Sequence, residues 1–513
     1  MRTAAQTIAF LILTAVLFMQ DSLARRLNVA RRIQTELLTL VPKRQGSTER
    51  LLDLCEFTGR LAWRNHTGSY AIPEIESVLR DLEWPSRAEP KVNPRLVENR
   101  TLHVLTESYA VGGHTRMVQR WITHANQDRH AVVLVRQQGP LQPSWLIPEG
   151  SKTPLIDLCA LGIVNSTDRV DALLKLFDAA RRIVLHIHPD DACSVAAAYQ
   201  RPGLDIRLIN HADHVAWLGA GLPVSHIHLR PGGVNLSVER RGIDRTACEI
   251  LPIPITQPVA PPRKPAREQL GLRDQDVAIL TIARPQKYLP IDGRSLLELF
   301  QQALARPEVR LIAIGPDARH PVFAPLVARY GDRVQTLGII PATQAHWVAA
   351  DIYVDSFPFG SATSLLESAA VGTPVVSYQP DYRTLGILYA DSACLPRSSY
   401  AVETLEAGHT LLEQLITQPG LRQQRSQEIK SGVQPHLAAS FQTALTNVMD
   451  RPRPVPSSAW RGEIPSLNGP LDRVISGLGM NPLYYQSLDA SRALSLREQL
   501  KLRALRLRYS LGL

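Results

Sequence analysis

The chemistry-rich part of this chain is the run Asp355-Ser-Phe-Pro-Phe-Gly-Ser-Ala-Thr-Ser-Leu-Leu-Glu-Ser-Ala-Ala-Val-Gly-Thr-Pro-Val-Val-Ser377. A strand ending near Asp355, a small-residue turn through Gly360 and a helix over 364–371 would aim free backbone amides back at the turn. Those amides, with the hydroxyls of Ser361, Thr363 and Ser364, suit phosphate oxygens without a metal ion. Glu367, one turn into the helix, is acidic where a ribose diol wants an acceptor. Upstream, Thr281-Ile-Ala-Arg-Pro-Gln-Lys-Tyr288 follows another strand and offers Arg284 and Lys287 as cations for a diphosphate.

A second group of residues suits proton transfer. His186-Ile-His188-Pro-Asp-Asp191 and Asn210-His-Ala-Asp-His214 each follow a strand, and Gly112-Gly-His114 opens a helix. A base that takes an acceptor proton near neutral pH is well served by histidine. His211 is the first choice, then His114 and His186, with Asp213 as a candidate to orient the ring of His211. Two histidines with two aspartates also fit a metal site, but no third histidine or thiolate completes a recognisable spacing, so no metal is expected.

These residues need a scaffold that brings several strand ends together. The chain has 513 residues, 44% hydrophobic and 20% charged, enough for two or three globular domains. Apolar strands alternate with helices: 101–106, 131–135, 182–187 and 206–210, then 277–281, 309–314, 334–337, 352–355 and 374–377. That alternation predicts parallel sheets covered on both faces. Six prolines between Pro252 and Pro265 break the pattern, and Pro452, Pro454 and Pro456 end it. The expected parts are a helical region 1–95, an α/β domain 96–255, a second α/β domain 256–450, and a proline-rich linker with a basic helix over 451–513. Arg230-Pro-Gly-Gly-Val234 reads as a turn.

The donor-side run resembles the signature of the two-lobed, GT-B-type glycosyltransferases. Leu366-Glu-Ser-Ala-Ala-Val-Gly-Thr-Pro-Val-Val376 is similar to the family-4 group. Val354-Asp-Ser-Phe-Pro-Phe-Gly-Ser-Ala-Thr363 looks more like the family-41 protein O- and N-glycosyltransferases. The resemblance implies an α/β fold of two Rossmann-like domains facing across a cleft, with a helical N-terminal extension. It implies that Gly360, Ser361, Thr363, Ser364 and Glu367 bind a nucleotide-sugar, with Glu367 on the ribose and Arg284 and Lys287 on the diphosphate. The Gly112-Gly113 loop resembles the one beside the acceptor in family 4. Family 4 carries a second glutamate eight positions before the one matched by Glu367, and here that position is Phe359.

The expected function is therefore transfer of a hexosyl or N-acetylhexosaminyl unit from a nucleotide-diphosphate sugar to a glycan, a lipid-linked glycan or a protein. The nucleotide-sugar is a substrate, and no cofactor is expected. The alternatives are a sugar-nucleotide epimerase and a non-catalytic nucleotide-sugar-binding or assembly module. A dehydrogenase is disfavoured because no loop carries the spaced three-glycine fingerprint. The charge balance of 57 basic to 47 acidic residues, +10, favours anionic partners. No zinc-finger spacing or RNA-binding signature accompanies it, so nucleic acid is not expected. Five scattered cysteines suit a reducing compartment, and the cytoplasm is expected. The apolar run 8–19 reads as a packed or interfacial helix, a signal peptide or a span. With the basic C-terminal helix it leaves peripheral membrane contact open.

Overall fold

The computed structural model describes residues 27–84, 91–109, 113–125, 129–256, 261–291, 293–340, 342–392, 395–451, 469–478 and 492–510. The apolar run 8–19, Gly112 and the prolines at 452, 454 and 456 lie outside the described residues. The chain forms two compact units. One comprises Met1–Leu229, Gly233–Ile250 and Asp450–Leu513; the other comprises Arg230–Gly232 and Leu251–Met449.

The first unit is built on seven parallel strands: β1 (Thr101–Leu105), β2 (His130–Leu134), β3 (Leu155–Asp157), β4 (Arg182–His186), β5 (Ile206–Asn210), β6 (Ser225–His228) and β7 (Cys248–Ile250). Their order is β3-β2-β1-β4-β5-β6-β7. Every residue of β1, β2 and β5 is buried, as expected for a parallel sheet covered on both faces. The N-terminal helix Thr48–Arg64 packs into this unit, and its Leu52, Leu54, Phe57 and Leu61 share one core with Val104, Val133 and Leu185. A buried ion network ties helix to sheet: Arg60 Nε donates to Asp190 Oδ2 at 2.6 Å, and Arg136 bonds both Asp190 and Glu56. Helices Pro470–Leu478 and Leu496–Ser510 also belong here.

The second unit carries six parallel strands: β8 (Val277–Ile282), β9 (Val309–Ile314), β10 (Val334–Thr336), β11 (Ile352–Val354), β12 (Val375–Tyr378) and β13 (Ala401–Val402), in the order β10-β9-β8-β11-β12-β13. Both sheets reverse direction beside their first strand, the Rossmann-like pattern that gathers strand ends at a switch point. Arg230–Val234 is a correction to the turn expected there. Pro231 opens a helix, Pro231–Arg241, because proline is well tolerated in a first helical turn.

Candidate functional site

In the six-stranded unit the loops after β8 and β11 meet. β11 ends at Val354, and Asp355 follows, fully buried. Its Oδ1 accepts the backbone N–H of Ser361 at 2.9 Å, which folds the loop back on itself. The helix Ala362–Val371 starts at that point, and Gly372 ends it in the left-handed conformation at φ 86°. Gly360 is required by contact: a Cβ there would lie 2.2 Å from the backbone nitrogen of Ala390. Arg230 holds the facing segment by donating to the carbonyls of Ile387 and Tyr389 and to Asp391.

Lys287 comes from the loop after β8, and its Nζ donates to the Gly360 carbonyl at 2.8 Å. Burial pushes its ammonium down to about 8, against the attraction of Asp355 and with the repulsion of Arg230 and Arg284. Burial likewise pushes the Asp355 carboxyl up to about 6, opposed by the Ser361 amide and by Lys287. Asp355 Oδ2 is buried without a partner among the described residues. Arg284 is exposed on the same loop. The loop rests on Gly315, where a Cβ would fall 1.8 Å from the Ala283 carbonyl oxygen, and His320 Nε2 bonds the Pro285 carbonyl at 2.9 Å.

The structure thus brings Lys287, Gly360, Ser361 and Ser364 together, with the two serine hydroxyls 3.2 Å apart. Thr363 and Glu367 are half-buried within the first two turns of the same helix. An anion seated there would meet first-turn amides that lack an intrahelical acceptor, together with a partly desolvated cation. Sequence reasoning missed Asp355 as the anchor of this loop. Its signal is its place at a buried strand end, six residues before the amide it holds.

In the seven-stranded unit, His188, Asn210, His211 and Trp217 line a small open cleft. His211 Nε2 lies 3.1 Å from His186 Nδ1, and the His114 ring stands edge-on to His211 at 4.6 Å. His186 is wholly buried with both ring nitrogens engaged, the second by His103 at 3.1 Å. His114 Nε2 meets the His186 carbonyl, while its Nδ1 is buried without a partner among the described residues. Burial lowers the imidazoles of His186 and His211 well below their ordinary value, that of His114 also goes down, and the neighbouring histidines add to the effect on His186 and His211. All three are therefore neutral at pH 7. Asp213 does not take the orienting role expected of it: its Oδ1 accepts from Asn210 at 2.8 Å, and the ring of His211 is held by His186. Among the described residues no three His, Cys, Asp or Glu side chains are grouped as a metal ion needs.

The sequence matches no family model, and no curated protein is similar to it in sequence. Solved structures do match the architecture. A glycosyltransferase from Rickettsia africae superposes with a TM-score of 0.53 at 12% identity, over 68% of this chain and 98% of that one. TarM gives 0.53 at 9% identity, over 70% and 100%. Anabaena HepE, solved with UDP and glucose, gives 0.50 at 12% identity, over 69% and 100%. Two Rossmann-like parallel sheets with a helical N-terminal region, matched in this way, define the GT-B-type fold. Among the described residues no helix is long and apolar enough to cross a membrane.

Proposed function

We propose that this chain is a glycosyltransferase that moves a hexosyl or N-acetylhexosaminyl unit from a nucleotide-diphosphate sugar to an acceptor hydroxyl without a metal ion. The observation that carries the proposal is Lys287, a half-buried ammonium that donates to the Gly360 carbonyl beside the first-turn amides of the Ala362–Val371 helix. In the transfer the acceptor oxygen bonds the anomeric carbon as that carbon's bond to the β-phosphate oxygen breaks. The electron pair leaves with the nucleoside diphosphate. Lys287, Arg284 and the helix amides receive the charge, in a role that a divalent ion fills elsewhere. Glu367 accepts from the ribose hydroxyls. In the seven-stranded unit, His211 takes the acceptor proton. A histidine base suits a single displacement, so the anomeric configuration inverts.

The test is a thermal-shift panel of nucleotide-diphosphate sugars in EDTA, followed by assays of donor consumption with and without acceptor extracts and by anomeric analysis of the product. One donor is expected to stabilise the protein and to be consumed only when acceptor is present. Isomerisation of the donor alone would instead point to an epimerase, and stabilisation without consumption to a binding module.

A further inference from the structure

Four histidines form a continuous row through the seven-stranded unit. His130 opens β2, His103 is the third residue of β1, His186 is the fifth of β4, and His211 follows β5. The register pairs Thr101 with His130 and Leu105 with His186, so each step advances two residues along the next strand. Alternate residues share a face of a sheet, so all four rings lie on one side. They run diagonally from the start of β2 to the end of β5. Trp121 covers the middle of the row, edge-on to both His103 and His186.

The hydrogen bonds of this row have a direction. His130 Nε2 lies 3.0 Å from the Ala125 carbonyl, which can only accept, so Nε2 carries the proton. In a neutral ring Nδ1 is then an acceptor, and it faces His103 Nε2 at 3.1 Å. His103 must therefore donate from Nε2 and accept at Nδ1, where His186 Nε2 stands at 3.1 Å. The same logic passes through His186 Nδ1 to His211 Nε2 at 3.1 Å. One carbonyl at the buried end thus sets the tautomer of every ring, because a neutral imidazole has one donor and one acceptor.

We infer that His130, His103 and His186 are positioning residues that hold His211 as its Nε2–H tautomer and leave its Nδ1 lone pair to receive the acceptor proton. The role of His211 as base rests on the function proposed above, whereas the tautomer stands on the hydrogen-bond row alone. On proton uptake, the acceptor O–H bond breaks and an Nδ1–H bond forms on His211. The resulting imidazolium keeps its Nε2–H bond to His186 Nδ1, which both orients the ring and stabilises its charge. An aspartate does this for the histidine of a serine-protease triad.

The test is long-range proton–nitrogen NMR on the full chain labelled with ¹⁵N-histidine, at pH 7, together with two substitutions. The expected wild-type spectrum has all four rings neutral and protonated at Nε2. His130→Gln retains a donor for Ala125 and an acceptor for His103, so His211 should keep its pattern. His130→Phe removes both, so the His211 signals should show a mixture of tautomers. Should His130→Phe not fold, the wild-type and His130→Gln spectra decide. In the transfer assay His130→Phe should lower kcat by roughly 10-fold or more with the donor KM unchanged, and His130→Gln should restore it. An Nδ1–H or doubly protonated His211 in the wild type would overturn the inference, as would a His211 pattern that ignores His130→Phe. A protein that shows the expected spectrum but transfers no sugar would instead refute the proposed function.

Discussion

Under the proposed function, Lys287 has to meet two requirements of a phosphate-binding cation. The charge must be desolvated enough to act strongly, and solvated enough to remain a charge. Burial, opposed by the attraction of Asp355, brings its ammonium down to about 8. A nucleoside diphosphate should therefore bind best below that value and weaken as pH rises through it, because the site loses its cation. Calorimetric titration at pH 7 and pH 9 tests this, and an affinity that stays flat across that interval would remove Lys287 from the phosphate site. Asp355 makes a separate prediction, for stability at lower pH. Its folded carboxyl holds a proton more tightly than the ordinary value of 3.8, up to about 6. Its contribution to stability is therefore full below 3.8 and lost as pH rises through about 6. Asp355→Asn cannot ionise and should flatten that part of the curve of urea midpoint against pH. A variant curve parallel to the wild type's would show that Asp355 is not the group responsible.

Among the elements, the loop between β11 and the Ala362–Val371 helix depends on close backbone approach. Gly360→Ala places a methyl group 2.2 Å from Ala390 N and 2.9 Å from the Tyr389 carbonyl carbon. Relief requires backbone movement, so stability should fall by about 1–3 kcal/mol and nucleotide binding should weaken with it. Denaturant midpoints with a binding titration check this, and unchanged binding would place the ligand elsewhere. This helix was readable in the sequence because its ends carry local signals: a small-residue turn before it and Gly372-Thr373-Pro374 after it. β9 was legible too, since Val309–Ile314 is continuously apolar apart from Arg310. The short strand Ser225–His228 escaped notice because Ser-His-Ile-His has no apolar run. It is a strand through its pairing with β5 and β7, which only the sheet can show. The histidine row was half visible for the same reason. His186 and His211 sit at strand ends, where ligands bind, whereas His103 and His130 each look like an isolated polar residue in an apolar strand. Register joins them, and register is not written locally.

For the whole molecule, the C-terminal segment matters to the first unit. Asp472, almost fully buried, bonds His66 Nε2 and Arg240 Nη2, each at 2.9 Å, while Leu471, Val474 and Ile475 are buried beside it. Leu502 joins the main core of that unit, and Arg44 pairs with Glu498 at 2.7 Å. Removing residues 452–513 leaves His66 and Arg240 without that carboxylate and bares apolar surface, so stability should drop by several kcal/mol, roughly 3–5 for the buried ion pair alone. Urea unfolding of the truncated chain measures this, and an unshifted midpoint would show the segment to be dispensable. The two-sheet architecture was legible from the alternation of strands and helices and from the proline break. The return of the chain's end to its first unit was not, because nothing in a leucine- and arginine-rich helix says which core it joins.

The central claim is that residues after β8 and β11 bind the diphosphate of a nucleotide-sugar without a metal ion. Isothermal titration of the wild type, Lys287→Ala and Glu367→Ala with UDP, ADP, GDP, CDP and dTDP in EDTA addresses it most directly. One of these nucleotides should bind the wild type, and each substitution should weaken it at least tenfold, about 1.4 kcal/mol. Binding that needs added metal, or that is equally tight in both variants, would contradict the account.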